Sequence, residues 1–268
     1  EALGFVARHF DPPRFAEVMA AVGEPDAPLR ELRASLDAWP QELAGVRACL
    51  LAAADGAASA FDALREAPDQ PDGLRAIFRA LGHLPRAQEA LYPLAAGLPP
   101  VSRFFLDPAS RGDAALQQRL AQAPERDDTG LFHVENEPGS RGGFSLYVPE
   151  DYTPDRAWPL VMALHGGAGN GRSFLWSWLR DARSQGAILV APTAVGDTWA
   201  LAGPDLDTPN LARILDQVGR RWRLDPDRLL LTGMSDGGTF SLVSGLEPGS
   251  PFTHLAPVAT GFPAFMAG

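Results

Sequence analysis

A serine set between glycines, Gly233-Met234-Ser235-Asp236-Gly237, lies between a short apolar run at 228–232 and a stretch at 238–243 that can continue as a helix. No other pattern in the chain limits its fold so sharply. Strand, tight turn and helix form the context in which G-x-S-x-G makes a nucleophile elbow. The turn holds the serine in strained backbone geometry, at a cost of about 1–3 kcal/mol. Glycine is needed on either side because a Cβ there would collide with the neighbouring strand or helix. The strain lifts Ser235 Oγ clear of a sheet, above a helix N-terminus that favours negative charge. Glycine and serine are common here, so the bare pattern is weak; the flanking segments make it specific.

Charge and composition remove several alternatives. The chain has 268 residues, 46% hydrophobic and 21% charged, an ordinary globular balance. A net charge of −10 argues against nucleic acid as a partner. No unbroken run of eighteen apolar residues occurs, so no transmembrane segment is expected. Every basic residue is arginine. Schiff-base chemistry, the S-x-x-K dyad and the P-loop lysine are thereby excluded. Cys49 is the single cysteine, which rules out an intrachain disulfide or a cysteine zinc cluster. Its apolar helical surroundings predict a buried structural thiol. The first residue is Glu, so a processed chain or a fragment is expected, and the compartment stays open.

The pattern changes character once along the chain. Residues 1–124 read as a helical region. Asp11-Pro12 starts a short helix that Gly23 closes. Leu43, Val46, Leu50, Ala53, Ala57, Phe61 and Leu64 form an apolar stripe on a long helix. Further helices are predicted near 72–81, 85–95 and 114–123. A polar linker at 124–130 follows. Residues 131–268 read as an α/β domain. Strands at 143–148, 160–164 and 187–191 alternate with a helix capped by Ser173 and another started by Thr208-Pro209. Alternation of this kind gives a mostly parallel sheet with helical crossovers.

His165-Gly166-Gly167 directly follows the 160–164 strand. Acyl transfer needs two donors aimed at the developing oxyanion. One is the N–H of the residue after the nucleophile, Asp236; the other comes from a glycine-rich loop, here Gly166 or Gly167. Together with Leu146-Tyr147-Val148-Pro149, Leu164-His165-Gly166-Gly167, Ala191-Pro192, Leu224-Asp225-Pro226-Asp227-Arg228 and the elbow, this chain resembles the α/β-hydrolase serine esterases. The resemblance is to the phospholipase/carboxylesterase and polyhydroxybutyrate-depolymerase-like group, over about 131–268. It implies Ser235 as nucleophile, an oxyanion hole of Asp236 and Gly166, and a substrate pocket at His165 and Trp199, with Trp199 equally readable as loop filler. It also implies a small-molecule or lipid ester substrate and no metal or organic cofactor.

One departure stands out. The family places its acid and histidine after the serine, on loops beyond two later strands. Here a single strand, 255–260, is predicted after the elbow. His254 opens that strand, roughly 16 Å from the catalytic face. The acid and histidine are therefore expected beyond Gly268, with the sheet incomplete and this chain inactive alone. Two rivals remain. Residues 166–173 match a P-loop except for Arg172 in place of lysine, which would suggest nucleotide binding. A non-catalytic binding protein of the same fold would also lack a base.

Overall fold

The computed structural model describes residues 1–261. The chain divides into two compact units, Glu1–Ser102 and Arg103–Gly268; the part of the expected α/β domain at 262–268 lies outside the described residues.

The first unit is helical: α1 (Ala2–Arg8), α2 (Phe15–Val22), α3 (Ala27–Leu36), α4 (Ala44–Glu66), α5 (Gly73–Leu81) and α6 (His83–Leu91). Gly23 ends α2 at φ +68, as the sequence predicts, but Asp11 makes no capping hydrogen bond. Its core gathers Leu3, Val6, Phe15, Phe61, Leu64 and Ile77. Of the α4 stripe only Phe61 and Leu64 are buried, with Ala54 and Ala60 buried off it, while Leu43 is 40% exposed. Cys49, on the open half, is partly exposed and not buried as predicted. α3 is tied to α4 by arginine–aspartate pairs, among them Arg33–Asp55 at 2.5 Å and Arg30–Asp62 at 2.7 Å. Asp26 is buried between Arg65 and Arg30, and hydrogen bonds from Arg65 first, then Arg30, hold its carboxyl down at about 2.

One helix bears on the expectation of no transmembrane segment. Within the helical stretch Gln41–Asp69 an 18-residue window has a mean hydropathy of 1.3, so the stretch is long and apolar enough to cross a bilayer by length and composition alone. Alanine accounts for this: many small apolar residues raise the mean without forming an unbroken greasy run.

The second unit begins earlier than the predicted linker. α7 (Pro99–Phe104) runs across the division, and α8 (Ala114–Ala121) belongs to the second unit. Phe105 is fully buried against Trp176, ring centroids 5.8 Å apart. Asp107 N–H donates to Ser184 Oγ at 2.9 Å. Helical composition up to residue 124 therefore does not mark the boundary, because 103–123 pack against the sheet unit's own helix.

The sheet runs β1 (Gly130–Val134), β2 (Phe144–Val148), β3 (Trp158–Leu164), β4 (Ile188–Pro192), β5 (Leu224–Met234) and β6 (His254–Val258), in the spatial order β1-β2-β4-β3-β5-β6. β1 and β2 are antiparallel; β4, β3, β5 and β6 are mutually parallel. β2 and β4 are buried at every residue, as two-faced coverage requires. α9 (Gly171–Gln185), α10 (Asp207–Arg221) and α11 (Asp236–Gly245) make the crossovers and cover the faces. α9 buries Leu175, Trp176, Leu179 and Ala182; α10 buries Leu211, Ile214 and Val218. Asn170, not Ser173, caps α9: its Oδ1 accepts the Ser173 N–H at 2.9 Å.

Candidate active site

β5 stops at Met234 and α11 starts at Asp236, leaving Ser235 alone in the turn at φ 54, ψ −119. That is a left-handed conformation a side chain tolerates poorly. The residue is exposed, and its N–H donates to the Val258 carbonyl of β6 at 3.0 Å. The flanking glycines are sterically obligatory. A Cβ on Gly233 would lie 2.8 Å from Gly238 N and closer still to Gly237, and one on Gly237 would strike the carbonyls of Leu164 and His165. The strand, turn and helix can approach this closely only without those side chains.

The loop after β3 comes to meet this turn. A Cβ on Gly166 would sit 3.7 Å from Ser235 Cβ, and one on Gly167 would sit 2.6 Å from Asp236 Oδ2. Ser235, Asp236, Gly166 and Gly167, chosen from sequence, are thus gathered at the carboxyl ends of β3 and β5. Asp236 is the first residue of α11, so its N–H has no partner within the helix.

His165 is not placed as a pocket residue, and Trp199 takes the loop-filling one of its two readings. Both are buried, at 1% and 2% exposure, and a side chain without solvent-facing surface offers substrate no wall. His165 Nδ1 donates to the Gly166 carbonyl at 2.6 Å, which leaves Nε2 to accept the Ala194 N–H at 3.1 Å. Burial is the main reason that its pKa falls to about 4. The imidazole is neutral with both nitrogens engaged. Trp199 Nε1 donates to the His165 carbonyl at 2.7 Å, and its ring lies between His165 and Phe240. Both side chains brace the loop after β3 from beneath.

Three further residues hold the loop. Thr198 Oγ1 donates to Asp236 Oδ2 at 2.8 Å. Arg141 donates to the carbonyls of Gly169 and Asp197 at 2.9 and 2.8 Å. Asp207 is buried with its oxygens on the N–H groups of Val195 and Ala200. The Thr198 and Arg141 contacts join segments 28 to 56 residues apart and those of Asp207 reach back 7 and 12, and no local spacing announces them.

The P-loop match has a different local explanation. Gly169 N–H donates to Gly166 O at 3.1 Å and Gly171 N–H to Thr193 Oγ1 at 2.8 Å. Those amides are consumed inside the turn, and Arg172 reaches Glu137 at 3.5 Å. A phosphate cradle needs its amides unspent. Gly171 is required because a Cβ would run into Ala191 O, where α9 leaves the sheet.

Of the histidines in this unit, His165 is engaged as described. His133 Nδ1 lies 2.8 Å from Ser145 Oγ, between the edge strand β1 and its neighbour β2. His254 is exposed beside Thr253 and pairs in register with Leu230, while Val258 pairs with Met234 next to the serine. Four residues of strand, about 13 Å, separate His254 from that end.

No family model matches the chain. Among curated proteins it is 26% identical over 163 residues to a poly(3-hydroxybutyrate) depolymerase of Ralstonia pickettii, covering 47% of this chain and 33% of that one. It is 31% identical over 127 residues to a bifunctional acetylxylan esterase/xylanase of Neocallimastix patriciarum, covering 46% and 18%. A probable feruloyl esterase C of Aspergillus niger matches at 26% over 125 residues, covering 44% and 46%. The chain is thus similar in sequence to a polyester depolymerase and two esterases. Its sheet order, parallel crossovers and β5–α11 elbow are those of an α/β-hydrolase-type fold. The chain spans a third or less of the length of the first two relatives, and under half of the third.

Proposed function

We propose that the protein is a serine carboxylic-ester hydrolase working through an acyl-enzyme on Ser235. The observation that carries this reading is the exposed serine at φ 54, between obligatory glycines, facing Gly166 across the ends of β3 and β5. Ser235 Oγ attacks the ester carbonyl carbon, and the carbonyl π electrons move onto oxygen. The N–H groups of Asp236 and of Gly166 or Gly167 receive that oxyanion, each donor contributing about 10²–10³ in rate. Collapse expels the alcohol and leaves the acyl group on Ser235; water then releases the acid. No step calls for a metal or organic cofactor.

The proton from Ser235 goes to a base other than the three histidines of this unit, which are spent or misplaced. The substrate is a small-molecule or polymeric carboxylic ester; the relatives' names, a polyester depolymerase and two esterases, support that class.

The test is labelling of the natural full-length protein by a fluorophosphonate. Label is expected on Ser235 and lost in Ser235→Ala; label that survives that change removes the assignment, and a wild-type protein that takes none favours a non-catalytic binding role. His133→Gln and His254→Gln are expected to label at the wild-type rate, and a loss in either would name it as the base.

A further inference from the structure

Asp207 is the first residue of α10, yet its carboxylate does not cap that helix. Asp205 Oδ1 serves there instead, accepting the N–H groups of Asp207 and Thr208 at 3.0 and 2.9 Å. The Asp207 side chain is 2% exposed and turns back toward the β4–α10 loop. Oδ1 accepts the Val195 N–H at 2.8 Å and Oδ2 the Ala200 N–H at 2.9 Å. Burial pushes this carboxyl up from its ordinary value, opposed by those two hydrogen bonds. A buried carboxylate is costly unless its oxygens are well paired, and here each oxygen holds one end of a short loop.

The loop between those ends carries the two side chains that reach the site. Thr198 holds the Asp236 carboxylate, and Trp199 holds the His165 carbonyl. Asp236 and the loop from His165 to Gly167 are the two sides of the proposed oxyanion hole. We propose that Asp207 is a positioning residue for that hole: it fixes both ends of the 195–200 loop, so that Thr198 turns the Asp236 carboxylate toward Gly167 while Trp199 seats the His165–Gly167 backbone. The proposal deepens the esterase reading and rests on it. Its physical content is that one carboxylate sets the spacing of two donors it never touches. A negatively charged side chain adjoining an oxyanion hole would oppose catalysis if it swung toward the oxygen, and Thr198 prevents that swing.

Asp207→Asn is the decisive variant. An amide offers one acceptor oxygen, and its NH₂ group would confront an N–H donor, so one loop end is released. Two readouts are made on the folded, natural full-length protein: the rate of fluorophosphonate labelling at Ser235, and the titration midpoint of His165 by NMR. Asp207→Asn is expected to label at least tenfold more slowly. The His165 midpoint is expected to rise from about 4 by one pH unit or more, as Trp199 loosens and water reaches the ring. A residue that merely stabilised the fold would move neither readout in the molecules that remain folded. Thr198→Val, which keeps the fold's apolar contacts, is expected to slow labelling while His165 stays at about 4. Either readout unmoved in Asp207→Asn overturns the proposal, and wild-type labelling by Thr198→Val overturns its Asp236 half. If the wild-type protein takes no label, the reading of Ser235 fails, and the His165 midpoint alone then decides the claim for Asp207.

Discussion

Trp199 Nε1 and the His165 carbonyl are joined by a 2.7 Å hydrogen bond across 34 positions of sequence. The indole also stacks on Phe240 of α11, ring centroids 5.5 Å apart and 17° from parallel. One side chain thereby links the loop after β3 to the helix that follows the serine. Trp199→Phe keeps most of the ring contact and removes the donor, leaving a buried carbonyl unpaired. The expected cost is about 1–3 kcal/mol. Urea denaturation measures the stability, and the labelling rate of Ser235 should fall with it. An unchanged denaturation midpoint would show that water replaces the indole N–H.

His165 makes stability depend on pH with a defined sign. Its folded pKa is about 4, below the ordinary 6.5, with burial as the chief cause. The unfolded chain therefore takes up the proton first. Stability is fully present above pH 6.5 and is lost as pH falls through about 4, by up to about 3 kcal/mol. Asp207 works in the opposite direction: its raised pKa removes stability as pH rises through the folded value. The bare pH profile mixes the two. The comparison that isolates His165 is wild type against His165→Asn, whose stability should lack the decline between pH 6.5 and 4. An identical slope in both proteins would mean that some other group titrates.

The position of the unit boundary has its own consequence. Removing residues 1–102 should leave the second unit's core intact. Removing 1–126 also strips away Phe105 and Leu106, both fully buried, and the cluster of Leu106 with Leu116 and Leu120. Each large side chain contributes about 1.5–3 kcal/mol by burial. The longer deletion should therefore be several kcal/mol less stable in urea, or aggregate, while the shorter one retains label at Ser235. Equal stability of the two would place 103–126 outside the folded unit.

How much of this was readable in advance follows from the kind of constraint involved. The elbow was legible because Gly233 and Gly237 answer to local sterics, which a five-residue pattern records completely. β2 was legible from its alternation in sequence, β4 because burial on both faces leaves a continuous apolar run, and the buried face of α10 because burial on a helix leaves a short period. Gly166 and Gly167 were legible once the elbow fixed which strand end matters. His165 was misplaced, and Trp199 left open between pocket wall and loop filler, for the opposite reason: near a site, a ring reads the same in sequence whether it faces substrate or braces backbone. Their burial is decided by carbonyl and amide partners 29 and 34 positions away. Asp207 escaped because an acidic residue before Thr208-Pro209 resembles an ordinary helix start. The boundary at residue 102 was hidden because α8 is as helical as the unit before it.

Ser235 itself should stand in the way of stability. At φ 54 and ψ −119 a serine carries about 1–3 kcal/mol of backbone strain, which glycine does not. Ser235→Gly relieves the strain and adds about 0.5–1 kcal/mol of lost chain entropy. Ser235→Ala keeps a Cβ and hence the strain. Both variants should be dead to fluorophosphonate, yet only the glycine should be more stable than wild type, by about 1 kcal/mol in urea. The pair separates the two properties of this position: the hydroxyl accounts for reactivity and the Cβ for strain. Equal stability of Ser235→Gly and Ser235→Ala would mean that the turn is relaxed, and that the geometry at residue 235 stores nothing.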